Sequence, residues 1–425
     1  MRKAIQLLFL LVFGLFLLSL LISYFYLNSI QSLPKLSARV DSIGDDSIDE
    51  SIILEKTANE ILDVPFGPPL NFTSIGNGFL AFSAYVDARD GNMGYPCVRI
   101  PVIATMKQNF KCRLTDREME GTTYELSENH AMRYRVYIVN CKLPDEKELK
   151  RIKTIEIGVF NTKTAKFEFT VVPITYRLPK ETEIKDYPLQ YSICLPQLFG
   201  NLYTAERIVE FIELYRLQGA GRFHVYVKKE SLDTRVRRLL NRYSKEGIVE
   251  VISFHPDIQE KSVWYHGQLV SVTDCHLRTI GLTKFVSFND FDEFFIPTTN
   301  DSLLSTLERL LSNNTGSIRV PTFYMSIENK TPPITQHNFK YNPQADERFT
   351  KCIVRPEMVF EQGIHHTSRV IQDNYVSPTA SKDQLAVFHF KSRGGSSINH
   401  RIKDLFGEKL EKNYQKEIEE LEIER

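Results

Sequence analysis

Three carboxylates crowd into four positions where an apolar run stops. Residues 284–297 read Lys-Phe-Val-Ser-Phe-Asn-Asp-Phe-Asp-Glu-Phe-Phe-Ile-Pro: Phe285, Val286 and Phe288 have the pattern of a buried strand, and Asp290, Asp292 and Glu293 follow at once. Carboxylates at the end of a buried strand are costly to desolvate unless hydrogen bonds, basic groups or a metal ion compensate them. If the backbone stays extended, Asp290 and Asp292 point to one side. Such a pair suits one hard cation, Mg2+ or Mn2+, whose remaining ligands are commonly substrate phosphate oxygens. An acidic turn capping the next helix is written in the same letters, so the surrounding elements must decide between the two.

Those elements alternate. After a charged, proline-bounded linker at 179–188, strands are predicted at 192–195, 222–227 and 248–254 and helices at 204–218, 234–244 and 264–280, before the central strand. Ile208, Phe211, Ile212 and Tyr215 share one face of the first helix, and Gly219 and Gly221 follow its end. The alternation predicts an α/β fold with a mostly parallel sheet flanked by helices over 188–400. Ligands of such sheets bind beyond the carboxyl ends of the strands, where Asp290 and Asp292 fall. Residues 64–180 have a different pattern: β-branched and aromatic segments at 79–86, 98–104, 133–139, 154–160 and 166–172, separated by turn residues, predict an all-β, sandwich-like domain. Residues 401–425 form a charged run that reads as a solvated terminal helix.

The 425 residues, 42% of them hydrophobic, are enough for more than one core. Lys+Arg and Asp+Glu both number 53, so no global charge steers the chain onto nucleic acid. Residues 4–27 are nearly all apolar and end in Tyr24-Phe25-Tyr26-Leu27, which predicts a membrane-spanning anchor with an interfacial aromatic belt. Arg2 and Lys3 place residues 1–3 on the cytoplasmic side, and 28–63 read as a stem. All six cysteines lie beyond the anchor, where disulfides form, and none is spaced Cys-x-x-Cys. Cys112 and Cys141 are plausible partners, and pairing all six would need a bridge between the two halves. Asn71, Asn313 and Asn329 open N-glycosylation sequons. There is no dinucleotide-binding Gly-x-Gly-x-x-Gly, no P-loop and no Gly-x-Ser-x-Gly elbow.

The order of several segments resembles a known family. Ile193-Cys194-Leu195-Pro196, Phe223-His224-Val225-Tyr226, Thr273-Asp274-Cys275-His276, the Asp290–Phe295 segment, Lys351-Cys352-Ile353-Val354-Arg355-Pro356-Glu357, Gly363-Ile364-His365-His366 and Val387-Phe388-His389-Phe390 are similar to motifs of glycosyltransferase family 92. The resemblance covers about half the chain, and Asn289 departs from the residue usual before the acidic pair. It implies a GT-A fold, a single N-terminal anchor with the catalytic part in the Golgi lumen, a nucleotide-sugar donor and a divalent metal, usually Mn2+. It further implies transfer of galactose, with UDP-galactose as the donor, with inversion onto a glycan of a glycoprotein or glycolipid.

Roles for individual residues follow from the chemistry of such a transfer. Asp290 and Asp292 are the expected metal and diphosphate contacts, and His389, set in an apolar strand, is the expected further ligand or else a core histidine. Arg278 and Arg355 can hold a diphosphate bidentately or serve in salt bridges. Inversion needs a base near the acceptor hydroxyl; Glu328 is the first choice, with Glu293, Asp346 and Glu347 as rivals. One of His365 and His366 is expected to touch donor or acceptor, and Trp264 offers a sugar-stacking face or ordinary packing. Two readings compete with transfer: an inactive carbohydrate-binding or adhesion protein acting through residues 65–178, and a lumenal metal-dependent hydrolase or phosphotransferase.

Overall fold

The computed structural model describes residues 66–68, 70–89, 96–105, 108–143, 151–198, 200–228, 231–258, 262–326, 331–391 and 395–423. They belong to one compact unit, 50–425; the other unit, 1–49, lies outside the described residues, as do the predicted anchor and stem. Among the described residues no helix is long and apolar enough to cross a membrane.

The first sheet comprises β1 (Thr73–Ser74), β2 (Leu80–Ala81), β3 (Tyr85–Asp87), β4 (Cys97–Ala104), β5 (Phe110–Leu114), β6 (Arg117–Glu125), β7 (Arg135–Lys142), β8 (Thr154–Asn161), β9 (Lys166–Pro173) and β10 (Tyr176–Leu178). Ten strands join in one sheet, with β4-β7-β6-β5-β8-β9 running antiparallel throughout. The sandwich expectation is thereby corrected: short reversals such as those between β5 and β6 and between β8 and β9 keep successive strands edge to edge. One face of this curled sheet encloses Ile100, Val102, Phe110, Tyr137, Val139 and Ile157. On β7 the alternate residues Val136 and Ile138 enter a second core shared with Cys194, Tyr226 and Val270. That strand is therefore buried on both faces. The Cys112–Cys141 disulfide staples this region.

The second part runs β11 (Leu189–Leu198), α1 (Ala205–Leu217), β12 (Arg222–Val227), α2 (Thr234–Lys245), β13 (Val249–Ser253), α3 (Gln268–Thr279), β14 (Thr283–Phe288), β15 (Glu293–Pro297), α4 (Leu303–Leu310), β16 (Ser317–Ser326), β17 (Phe339–Tyr341), β18 (Asp346–Val354), β19 (Val359–Gln362), β20 (Thr367–Val370), β21 (Leu385–Phe390), β22 (Ser397–Asn399) and α5 (Arg401–Ile423). β13-β12-β11-β14 are parallel, but β14 then pairs antiparallel with β18, which pairs antiparallel with β16. The predicted α/β fold with a mostly parallel, GT-A-type sheet is therefore not what forms; the sheet is mixed and the chain is strand-rich throughout. Parallel neighbours need a crossover of a dozen or more residues, usually a helix. Between α4 and α5 the described chain supplies only strands, turns and single 3-10 turns, so most of its strands return antiparallel.

Two further expectations shift. The helix predicted at 264–280 begins at Gln268, because Tyr265, His266 and Gly267 take positive φ. The terminal helix α5 is packed rather than solvated: Ile402, Leu410, Tyr414 and Leu421 join the core around α1, and Arg242 of α2 meets Glu417 at 2.6 Å.

Candidate active site

The acidic triplet occupies the turn between β14 and β15, and its neighbours dictate the shape of that turn. Asn289 directly follows β14, and its Nδ2 donates to Tyr215 Oη and to the Glu293 carbonyl, each at 3.0 Å, while its Oδ1 accepts from Ser287 Oγ at 3.0 Å. Tyr215, on α1, also donates to the Glu293 carbonyl at 3.0 Å and accepts from the Phe295 N–H at 2.9 Å. Phe291, 1% exposed, turns into the core beside Tyr203 and Phe211. The residues flanking it face the other way, leaving the Asp290 side chain 34% exposed and that of Asp292 25%.

Two distant strands close over this turn. The β14–β18 ladder pairs Phe288 with Cys352 and so brings Lys351 alongside. Its Nζ lies 3.2 Å from Asp290 Oδ2 and 3.1 Å from Glu293 Oε2. The β15–β21 ladder sets His389 opposite Glu293. His389 Nε2 lies 3.5 Å from Asp292 Oδ2, and its Nδ1 lies 3.4 Å from Glu293 Oε1. Glu293, which also accepts the Asp290 N–H at 2.9 Å, is the hidden hub of the cluster.

Charge follows from this geometry. Burial raises the Glu293 carboxyl above the ordinary glutamate value even with the Lys351 ammonium beside it. For Lys351 burial works against the charged form, but Asp290 and Glu293 outweigh it, so the ammonium persists well above the usual lysine range. For Asp292 the His389 contact outweighs burial and holds the carboxyl below its usual value. A narrow cleft, with room in this conformation for about one water molecule, lies beside the cluster, lined by Leu195 and Pro196 from β11, Ser271 from α3, and Asp290, Lys351 and Ile364. It lies at the carboxyl ends of the parallel strands, where α/β sheets bind ligands.

The donor set bears directly on a divalent cation. Asp292 and His389 face each other with an oxygen and a nitrogen, both partly open, a pair that fits Mn2+ or Mg2+ if phosphate oxygens complete the shell. Asp290 is engaged by Lys351 instead. Among the described residues no group of three or more His, Cys, Asp or Glu converges as a ready-made cage. Asp290, Asp292 and His389 thus share the cluster without forming a triad of ligands.

Other predicted residues lie elsewhere. Arg278 is buried in α3, 2.8 Å from Glu250 and 2.9 Å from Asp274, and does not reach the cleft. Arg355 pairs with Glu357 at 3.2 Å and donates to the Asn313 carbonyl. Both take the structural salt-bridge role. Asp346 is engaged by Arg348 at 3.1 Å, and Glu347 is exposed. Trp264 stacks on His130 with ring centroids 4.0 Å apart. Asn71 and Asn313 are exposed, whereas Glu328 and Asn329 lie outside the described residues. His365 Nδ1 lies 3.2 Å from the Thr350 carbonyl, and His366 Nδ1 3.0 Å from Glu128 Oε1. A second bridge, Cys194–Cys275, ties β11 to α3; neither bridge joins the two halves, and Cys97 and Cys352 take no part in them. Sequence reading missed Lys351: the only signal available was its place in the Lys351–Glu357 motif.

Comparison with known proteins gives the class. The profile of glycosyltransferase family 92 matches residues 190–424, more than half the chain. The protein is a glycosyltransferase, an enzyme that moves a sugar from an activated donor to an acceptor. It is 42% identical over 346 residues, 80% of each chain, to the β-1,4-galactosyltransferase galt-1 of Caenorhabditis elegans. It is 23% identical over 320 residues to the galactan β-1,4-galactosyltransferase GALS2 of Arabidopsis thaliana, covering 70% of this chain and 59% of that one. Similarity to GALS3 of the same plant is 24% over 228 residues, 51% of this chain and 43% of the other. This chain belongs to glycosyltransferase family 92.

Proposed function

We propose that the protein transfers galactose from UDP-galactose to a glycan acceptor, with inversion, and that a divalent cation, Mn2+ or Mg2+, accompanies the donor diphosphate. The observation that carries this reading is the pairing of Asp292 with His389 beside a cleft that also presents the Lys351 ammonium. The names of the three relatives support galactose as the transferred sugar. Asp292 and His389 would hold the cation, and His389 Nδ1, turned to Glu293, would leave Nε2 free as a ligand. A cation held there would supply Lewis acidity toward the donor diphosphate. Lys351 adds a fixed positive charge on the same side, and Asp290 and Glu293 hold that ammonium at the cleft wall. Asn289 and Tyr215 fix the turn, so little reorganisation is needed as charge develops.

The apolar run at 4–27 behind Arg2 and Lys3, together with two disulfides, supports a type II membrane protein working in the Golgi lumen. The test is product analysis: full-length protein with UDP-galactose, Mn2+ and a panel of β-galactoside and fucosylated glycans should yield a glycan one hexose heavier. Release of free galactose without transfer would point to the hydrolase reading, and no turnover with any nucleotide sugar to the inactive binding protein.

A further inference from the structure

The β-rich sheet reaches the cleft through one carboxylate. Glu128, in the turn after β6, has a side chain only 11% exposed, with Oε1 3.0 Å from His366 Nδ1. Its Oε2 accepts the Ile364 N–H. Gly363 makes room for it: a Cβ there would lie 2.8 Å from Glu128 Oε2 and 2.9 Å from the His366 carbonyl. That carbonyl accepts the Gly363 N–H at 2.9 Å, so the carboxylate sits beneath a closed turn. A second grip comes from Ser127, which donates through its N–H and its Oγ to Glu361 Oε1 at 2.8 and 2.7 Å.

The same turn is fastened to the cleft. Thr350 Oγ1 donates to the His365 carbonyl at 2.7 Å, and Thr350 directly precedes Lys351. Ile364 itself lines the cleft. Glu128 therefore fixes at once a wall of the cleft and the segment that presents its ammonium. We propose that Glu128 is a positioning residue for donor binding, which makes the β-rich region a working part of the transferase site and not a separate module. The inference rests on the reading of UDP-galactose as donor.

Steady-state kinetics of the full-length protein test it. Glu128→Ala should raise KM for UDP-galactose about tenfold, the size of one lost charge-assisted hydrogen bond, with kcat changed far less. Glu128→Gln retains an acceptor for the Ile364 N–H and should recover most of that affinity, but it cannot pair with a charged imidazole. His366 is faced by Glu128, Glu361, Arg319 and Ser368, and Glu128 is the first cause of its raised pKa. In the wild type KM should therefore rise as pH climbs through the His366 ionisation, and in Glu128→Gln that dependence should flatten. If Glu128→Ala does not fold, Glu128→Gln still tests the role, because its flattened pH dependence reads the lost pairing with His366, a side chain 41% exposed. A wild type that binds UDP-galactose, with variants that match its KM and pH profile, overturns the role of Glu128 alone. A wild type that neither binds nor uses UDP-galactose overturns the donor reading, and this inference with it.

Discussion

At the scale of residues, the account turns on which charges are paired and which are left for a ligand. Lys351, its side chain 4% exposed, lies between Asp290 and Glu293, so Lys351→Met leaves two carboxylates without this counter-charge. Breaking a buried pair from one side costs about 3–5 kcal/mol, and chemical denaturation should show a loss of that order together with lost transfer. Asp292→Asn is different. Its side chain is partly exposed, so the melting temperature should barely move while turnover falls at least about a hundredfold, as when one electrostatic stabiliser is removed. The acidic pair was legible because hydrophobicity gives way to charge within one residue. Lys351 was not, since it stands 61 positions from Asp290 and is brought near it by the β14–β18 ladder. Arg278 misled for the converse reason: its charge is visible in the sequence, but its burial against Asp274 and Glu250 is not.

At the scale of elements, α1 is a clamp as well as a packing helix. One hydroxyl, Tyr215 Oη, accepts from Asn289 and Phe295 and donates to the Glu293 carbonyl. Tyr215→Phe should therefore destabilise by about 1–3 kcal/mol, the cost of buried polar groups left unsatisfied, and should lower kcat by loosening the acidic turn. Equilibrium unfolding and kinetics on one preparation would separate the two effects. The helix was readable from its 3.6-residue apolar period, as were the first parallel strands from their alternation with helices. The antiparallel half was not, because a short apolar run carries no record of its partner's direction. α5 was misread because its four core residues are diluted by lysines and glutamates, among them Glu417, which pairs with Arg242 of α2. Truncation before Arg401 should remove Ile402, Leu410, Tyr414 and Leu421, expose the apolar residues of α1 that they cover, and yield aggregated protein on gel filtration.

At the scale of the whole molecule, side chains held in buried ion pairs join the β-rich region to the transferase half through hydrogen bonds to or from backbone groups of the other part. Arg89 is held by Asp87 and donates to the carbonyls of Pro356, Glu357 and Val359. Glu250 accepts from the Gly67 N–H and Arg278 and meets His224 Nδ1 at 2.7 Å. Burial alone would raise both carboxyls, but Arg89 and Arg99 on Asp87, and His224 and Arg278 on Glu250, bring each down to about 2. Folded-state values below the unfolded ones mean that this stabilisation is complete above about pH 4.5 and is lost as pH falls toward 2. Each pair then contributes roughly 2–3 kcal/mol near neutrality, and acid titration followed by circular dichroism should show unfolding within that window, with Glu250→Gln less stable at pH 7 and less sensitive to acid.

The most direct test of the central claim is calorimetric titration of UDP-galactose into the full-length protein, with Mn2+ and then with chelator, for wild type and Asp292→Asn. The account predicts saturable binding that requires the metal in the wild type and is at least about tenfold weaker in the variant, the difference expected from one lost metal ligand. Equal binding by both proteins, undiminished by chelator, would contradict it.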